Sequence, residues 1–404
     1  MKNIFRKIAY LTLSLALAGT FAACSDDDGT EAGDDLTPRE QMLKAATEAF
    51  VNKTVIPTYK SLADECLQLL EKCETMQAAL AAGNLTTAQV KAAGDEWISA
   101  RKYWELSEAF LFGAATERNI DPHIDSWPLD DAALQALLNN TEMMNEIAKD
   151  GYVVSNLGYG LLGFHALEYM LFERADQGGR AVSQPRSVSK YTAQEMVYLV
   201  AVAGDLAAQC ALLEASWAGT DNVSAEKQAL MEDAELEPTR NHGNEMVNAG
   251  KAGSSYVNYL AAAQEMLIAG CVNIADEVGA QKIGRPAGNT SSSEGSDADK
   301  NYIESPYSLN SQTDFADNII SVQRVYQGTD SGDASISDYI KTIDADLDTQ
   351  VRETIQTAID KIQGVTAQFE TNASDAAWKA AGTYCANDLC NMLNRVNDVM
   401  TAAE

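Results

Sequence analysis

The sequence predicts an all-α protein made of two four-helix-bundle domains packed side by side. Three observations predict this fold. Only eight of the 404 residues are prolines, alternating β-branched runs are scarce, and stretches rich in Ala, Leu, Glu and Gln repeat their apolar residues at helical spacing. The roughly 370 residues that follow the N-terminal segment are also too many for one small core, which favours two domains.

The N-terminal residues predict export and a lipid anchor. Residues 1–23 have the pattern of a signal peptide, with a positively charged start and an apolar run from Ile8 to Ala18 that is too short to span a bilayer. Small residues and Cys24 follow, as in a bacterial lipobox, so we expect lipid on Cys24. The alternative is an ordinary signal peptide that ends near a cysteine. The acidic residues 24–36 predict a flexible tether. Ser25, rather than Asp, after the cysteine favours the outer membrane, on its periplasmic or cell-surface face.

Charge and cysteine content exclude some functions. The formal net charge of −30 argues against nucleic acid as a partner, because such a chain repels phosphate backbones. Six cysteines follow Cys24, with no Cys-x-x-Cys pair to suggest zinc. We expect most of them to be core residues.

The first predicted domain covers residues 37–184. Its first helix begins with a capping box at Thr37 and Glu40, is kinked by Pro57 and ends near Ala82. Three more helices are predicted over residues 86–113, 130–149 and 156–174.

The second predicted domain covers residues 185–404, after a break at Gly178-Gly179. Helices are predicted over residues 192–218, 254–282, 312–327, 336–363 and 374–402, with a shorter one between the first two. The Gly- and Ser-rich segment near 283–304 predicts an exposed loop. His242 lies in a polar turn and is expected to be exposed.

The fourth predicted helix carries a histidine and a carboxylate on one face. In Gly163-Phe-His165-Ala-Leu-Glu168 the two side chains are three residues apart, and Leu161, Tyr169 and Phe172 would complete an otherwise apolar stripe. Buried polar groups need partners, which could be each other, an arginine or a metal ion. The alternative is a His–Glu hydrogen bond that only stabilises packing.

The second predicted helix has a similar stripe. Trp97, Arg101, Trp104, Glu108 and Leu111 follow one another at spacings of three and four residues. Glu105 could also pair with Arg101, and a structural ion pair is the alternative to a functional site. If the two stripes met, they would form a buried polar site between helices.

These motifs together resemble the imelysin family. The resemblance rests on Trp97-x-x-Ala-Arg101-x-x-Trp104, Asp125-x-Trp127-Pro128, Gly163-x-His165-x-x-Glu168, Gly179-Arg180, the stretch from Glu304 to Asn310, and Asp314, in that order over roughly residues 40 to 400. It implies two similar four-helix bundles with a functional site where they meet. The residues it would bring together there are Gly163, His165, Glu168, Arg101, Glu108, Asp125, Trp127, Ser305 and Ser308.

The resemblance leaves the type of function open. Imelysin is described as a secreted metallopeptidase, whereas many relatives are linked to iron uptake or iron regulation in the envelope. A peptidase needs about three metal ligands and a general base. His-Glu-x-x-His is absent here, and Tyr169 occupies the place of the second histidine of His-x-x-Glu-His. A third ligand would have to be Asp125, Glu304 or His123.

We therefore expect a non-catalytic binding protein for iron uptake or homeostasis, which holds a metal ion or a small polar ligand. His165 and Glu168 are the candidate metal ligands, and iron or zinc the candidate ions. Iron-transport proteins are candidate partners. The first alternative is a metallopeptidase with Glu168 as its catalytic residue. The second is a partner-binding structural lipoprotein.

Overall fold

The computed structural model of the protein describes residues 36–289 and 297–403. The predicted leader, the lipidation site Cys24 and almost all of the tether lie outside the described residues, as do residues 290–296 of the predicted loop. Within the described part the protein is predominantly α-helical, with one pair of short strands, which confirms the predicted fold class.

The described residues of the first half contain eight α-helices. They are α1 (Pro38–Ala49), α2 (Ile56–Ala81), α3 (Thr87–Glu105), α4 (Ala114–Glu117), α5 (Ile120–Ile124), α6 (Asp131–Leu138), α7 (Thr141–Lys149) and α8 (Gly163–Leu171). A hairpin of β1 (Phe172–Gln177) and β2 (Arg180–Pro185) follows. The predicted capping box is present, since Thr37 Oγ1 accepts from the Glu40 amide while Glu40 accepts from the Thr37 amide. The first predicted helix is formed by α1 and α2, which are joined without a break by a π-helical turn, Phe50–Val55.

The second half begins with α9 (Ala193–Ala218), α10 (Ala225–Asp233), α11 (His242–Val247), α12 (Tyr259–Glu265), α13 (Asn273–Asp276) and α14 (Gly284–Ala287). It continues with α15 (Asp297–Lys300), α16 (Ser311–Gln327), α17 (Ile336–Ile343), α18 (Ala345–Gln363), α19 (Phe369–Asn372), α20 (Ala376–Thr383) and α21 (Cys390–Ala403). Further π-helical turns cover Met266–Val272, Glu277–Lys282 and Tyr384–Leu389.

Three predicted helices of the first half are wrong in extent. α3 ends at Glu105 rather than Gly113, and Glu108 lies in a separate 3-10 turn. The Ser107 hydroxyl donates to the Trp104 carbonyl at 2.6 Å, a local bond that competes with helix continuation. The helix predicted over 130–149 is two, because Asn140 caps the second by accepting from the Met143 amide.

The helix predicted over 156–174 is the largest error. α8 begins only at Gly163, and the chain is extended from Phe172 onward, so Leu161 and Phe172 are not on the helix of His165. Gly178 and Gly179 both have positive φ, 68° and 89°, and form the two-residue turn that pairs Gln177 with Arg180.

Two predictions of exposure are also wrong. His242 begins α11 and is buried, with its ring 5.8 Å from that of Trp217. In the predicted loop near 283–304, Pro286 and Ala287 are buried in α14. The six cysteines are buried thiols, as expected for core residues.

The apolar core is contiguous. α2 lies between α3 and α9, α8 packs on α3 and α9, and α16 packs on both α3 and α18. α9 is long and apolar enough to cross a membrane, but 94% of its most hydropathic window is buried inside the protein, as in a core helix. The polar site lies where α3, α8 and the chain leading into α16 meet. The division into two bundles stays a prediction.

Candidate functional site

The site is built around Arg101, which is fully buried on α3. Its Nη1 binds Asp125 Oδ1, and its Nη2 lies 2.6 Å from Glu304 Oε1 and 2.5 Å from Glu105 Oε1. Its Nε lies 3.8 Å from Asp314 Oδ2. One guanidinium thus joins α3, the end of α5, the segment before α16 and α16 itself. The i,i+4 pair with Glu105, which the sequence suggested, is present.

A second buried cation, Lys282, was not predicted. Its Nζ lies 3.2 Å from Glu304 Oε1, 3.4 Å from Glu108 Oε1 and 3.7 Å from Glu105 Oε2. It also lies 5.4 Å from the centre of the Trp127 ring, a cation–π distance. Lys282 ends a π-helical turn and belongs to no motif, so its role could be seen only in the folded chain.

His165 lies between two carboxylates. Its Nε2 is 3.1 Å from Asp125 Oδ1 and its Nδ1 is 3.5 Å from Glu168 Oε2, with neither nitrogen in a well-aligned hydrogen bond. Burial alone would lower the pKa of His165, but the contacts with Asp125 and Glu168 outweigh it and raise that pKa to about 9. Near neutral pH the imidazole is therefore a third cation of the site.

Glu168 holds the segment that precedes α16. Its Oε1 accepts from the amides of Tyr307 and Ser308, at 2.9 and 2.7 Å, and from Ser308 Oγ at 2.7 Å. In the same segment Ser305 Oγ donates to Asp314 Oδ2 at 2.5 Å. Ser305 and Ser308 are thus brought to the site, as the resemblance implied.

Gly163 places α8 against α5. Its φ is +68°, and a Cβ at this position would lie 1.9 Å from the Ile124 carbonyl oxygen. Only glycine allows the start of α8 to approach that backbone, which puts His165 within reach of Asp125.

The site has more carboxylates than cations. Six carboxylates are involved: Glu105, Glu108, Asp125, Glu168, Glu304 and Asp314. Among the described residues they face only three cations, Arg101, Lys282 and His165. A buried charge without a counterion must be neutralised, either by a proton or by another cation.

The pKa shifts follow from that imbalance. Burial would raise the pKa of Asp125, but Arg101 and His165 hold it below its ordinary value. Burial raises the pKa of Glu304 to about 7 against the attraction of Lys282. Burial also raises the pKa of Glu108 well above its ordinary value, and that of Asp314, where Glu105 adds to the effect. Several acids of the site therefore hold protons that a cation could replace.

Two groups of side chains in the described part could ligate a metal ion. Asp125, His165 and Glu304 form one, and Glu105, Glu108 and Asp125 form the other, each with ligand atoms within 4.8 Å of one another. Within the part of the chain that the structure describes, Glu304 Oε2 is buried without a hydrogen-bond partner, and Glu105 Oε1 accepts no well-aligned hydrogen bond. The ligands of these groups are carboxylate oxygens with one imidazole nitrogen, and such ligands suit a hard or borderline ion such as iron. Structural zinc sites, in contrast, are rich in sulfur.

Of the remaining residues predicted for the site, one lies beside it and two are not among its candidate metal ligands. Trp127 lies beside the site, with its ring 5.9 Å from that of His165 and 5.3 Å from that of Tyr302. Glu168 belongs to neither metal-ligating group. His123, considered as a third ligand, lies 2.7 Å from Asp205 on α9 instead.

Comparisons with known proteins agree with this architecture. The family model described as Imelysin (peptidase M75) matches residues 55–396. Iron-regulated protein A of Synechococcus elongatus is 27% identical over 337 residues, which are 83% of this chain and 79% of that protein.

Two solved structures are similar. The crystal structure of a candidate iron-regulated protein A precursor from Parabacteroides distasonis has a TM-score of 0.73 and 26% identity, and covers 91% of this chain and 97% of its own. That of an imelysin-like protein from Psychrobacter arcticum has a TM-score of 0.52 at 13% identity, with 90% and 94% covered, and shows the fold alone.

Proposed function

Because the chain belongs to the imelysin family, we propose that it is a non-catalytic binding protein of the cell envelope that holds an iron ion at the Arg101–His165 site. In this proposal Cys24 carries the lipid that attaches it to the outer membrane, close to iron-transport proteins. The excess of three buried carboxylates over cations is the observation that carries the proposal.

The chemistry of the site supports a cation. Asp125, His165 and Glu304 would be its ligands, and Glu168 would position the segment that carries Glu304. Binding would require that His165 lose its proton and that Glu304 be ionised. Arg101 already pairs with both carboxylates, so a bound ion would share them with the guanidinium or displace it.

Iron is favoured over other ions by two lines of support. Oxygen donors with one imidazole suit iron. In addition, a relative that covers most of the chain is named iron-regulated protein A, and a similar solved structure carries the same description.

The burial of the site favours ion binding over peptide cleavage. His165 is 3% exposed and Glu168 is 0% exposed. A metallopeptidase must bring an extended peptide to its metal ion and general base. The described residues cover both side chains, so a small ion reaches the site more readily than a polypeptide.

Metal analysis and iron titration of residues 25–404 test the proposal. We expect saturable uptake of about one ion per chain, weakened about tenfold or more in Glu304→Gln, which keeps the shape of the side chain. His123→Gln is the matched control, because it changes a buried histidine that pairs with Asp205 outside the cluster. Absence of saturable uptake, or equal uptake by both variants, would contradict the proposal.

A digestion experiment separates the enzymatic alternative. The same preparation, supplied in turn with iron and zinc, is incubated with an unfolded protein and with insulin chains. We expect no cleavage. Cleavage that a chelator abolishes, and that Glu168→Ala lacks while its circular dichroism remains that of the folded protein, would instead establish the metallopeptidase.

A further inference from the structure

We infer a second binding site, for a small organic anion with a carboxylate and a planar apolar body, in a pocket at the base of the β1–β2 hairpin. The pocket has a volume of about 360 Å³ and is open to solvent on one side. Its walls combine three cationic side chains, one carboxylate and three aromatic side chains: Arg174, Arg186, Lys190, Glu173, Tyr169, Phe172 and Tyr307. This inference does not rest on the proposed iron site.

The cations of the pocket are not fully neutralised. Lys190 Nζ pairs with Glu173 Oε2 at 2.6 Å, and Arg186 Nη2 pairs with Glu195 Oε1 at 2.6 Å. Arg186 Nη1 is buried and donates to no acceptor, and Arg174 is exposed and forms no ion pair with the described residues. In a chain of net charge −30, a concave surface lined by three cationic side chains and a single carboxylate, Glu173, attracts an anion.

The type of cation specifies the anion. A guanidinium presents parallel N–H donors that match the two oxygens of a carboxylate. Arg186 is held in place by the bond of its Nη2 to Glu195 and by the Tyr191 ring, whose centre lies 4.8 Å from the guanidinium, which leaves Nη1 to donate to the ligand. Arg174 lines the same pocket and is exposed to solvent.

The aromatic wall specifies the body of the ligand. The rings of Tyr169 and Tyr307 are 5.2 Å apart and nearly perpendicular, at 81°. Phe172 continues this wall with 9% of its surface exposed. Such a surface binds a planar or apolar group through the edges and faces of its rings. An inorganic anion has no group that can make these contacts. The volume lies at the small end of ligand pockets, so the ligand is a small molecule.

Calorimetric titration of the chain, residues 25–404, at physiological salt tests the inference with three probes. Benzoate carries both features, benzyl alcohol has the ring without the charge, and inorganic phosphate has the charge without the ring. We expect saturable binding of benzoate and at least tenfold weaker binding of the other two.

Two variants locate the site. Arg174→Gln should weaken benzoate binding about tenfold or more, because it removes a charge-assisted hydrogen bond that this solvent-exposed side chain would donate to the carboxylate. Arg180→Gln is the matched control, since it removes an exposed arginine of the same hairpin that does not line the pocket. Arg186→Gln should also lose benzoate binding. Because Arg186 pairs with Glu195, the melting temperature of this variant is measured to show that it remains folded.

Three outcomes would overturn the inference. One is no saturable benzoate binding. Another is binding of benzyl alcohol or phosphate as tight as that of benzoate. The third is an equal effect of Arg174→Gln and Arg180→Gln, which would show that only overall charge matters.

Discussion

At the scale of single residues, Glu168 connects two distant parts of the chain. Three donors from residues 307 and 308 converge on its Oε1, and the carboxylate is fully buried. If the carboxylate is removed, two backbone amides and a hydroxyl lose their acceptor at once. Buried donors without an acceptor cost about 1–3 kcal/mol each.

We therefore predict that Glu168→Ala lowers the free energy of unfolding by about 3 kcal/mol or more. Ser308→Ala removes only one of the three bonds and should cost about 1 kcal/mol. Urea unfolding followed by circular dichroism measures both. Similar values for the two variants would mean that the carboxylate does not hold this segment.

His165 and Glu304 make stability depend on pH. Both pKa values are raised in the folded protein, that of His165 from 6.5 to about 9 and that of Glu304 from 4.5 to about 7. The folded chain thus binds more protons than the unfolded chain between about pH 5 and 9, and its stability falls as pH rises through that window. A unit of pKa difference is worth about 1.4 kcal/mol.

We predict that the metal-free protein loses a few kcal/mol of stability between pH 5 and 9. The contribution of His165 is fully present below pH 6.5 and is lost as pH approaches about 9. His165→Gln should flatten the upper part of this profile. Melting temperatures across the range provide the measurement, and a variant whose profile is as steep as that of the unchanged protein would refute the assignment.

At the scale of residues, the sequence predicted the kind of side chains in the site better than the complete set of residues that form it. His165 and Glu168 are near neighbours in the chain, and Arg101 and Glu105 are four apart on one helix, so spacing alone indicated that they could interact. Lys282 is 181 residues from Arg101 along the chain. Only packing brings the two cations to the same carboxylate of Glu304, which leaves no local pattern to detect.

At the scale of elements, the contact between α5 and α8 sets the geometry of the site. Gly163→Ala would place a Cβ 1.9 Å from the Ile124 carbonyl oxygen and would also strain a backbone at φ +68°. The backbone would have to move, and Asp125 with it. The clash is with main chain, so no side-chain rotation can relieve it.

We predict a loss of about 3 kcal/mol or more of unfolding free energy for Gly163→Ala. Gly178→Ala is the matched control, because its φ is also +68° but no atom of residues 36–289 or 297–403 lies within 4 Å of the added Cβ. That variant should cost only about 1 kcal/mol, the strain of a left-handed backbone. Equal losses in thermal or urea unfolding would show that the α5–α8 contact can adjust.

The elements that the sequence missed have local causes that periodicity does not contain. The apolar spacing of α3 continues past Glu105, but the Ser107 side chain ends the helix by binding a carbonyl. The spacing around His165 suggested a helix to residue 174. The Gly178-Gly179 turn allows β1 and β2 to pair, and strand pairing outweighs helical propensity at Phe172.

At the scale of the whole molecule, the first half of the chain is incomplete without the second. In α9, 21 of 26 residues are buried, and the helix covers α2 and α8. The partners of Arg101 include Glu304 and Asp314, which lie more than 200 residues later. Composition and length favoured two domains, but they gave no measure of how much each half depends on the other.

A pair of fragments measures that dependence. We predict that residues 37–184, the first domain expected from the sequence, do not unfold cooperatively on their own. Loss of α9 exposes the apolar face of α2, and His123 loses Asp205. The fragment of residues 37–184 also lacks Glu304 and Lys282. Of the carboxylates around Arg101 it keeps only Asp125 and Glu105.

Residues 37–233 restore α9 and α10 but not the later partners of Arg101. This longer fragment should regain helix content and a cooperative transition, at lower stability than residues 37–404, because core burial supplies most of the stability of a helical protein. Circular dichroism and urea unfolding of the three chains provide the comparison. If residues 37–184 unfold as cooperatively as residues 37–233, the first bundle is an independent domain, and the contacts with α9 are a docking interface rather than part of its core.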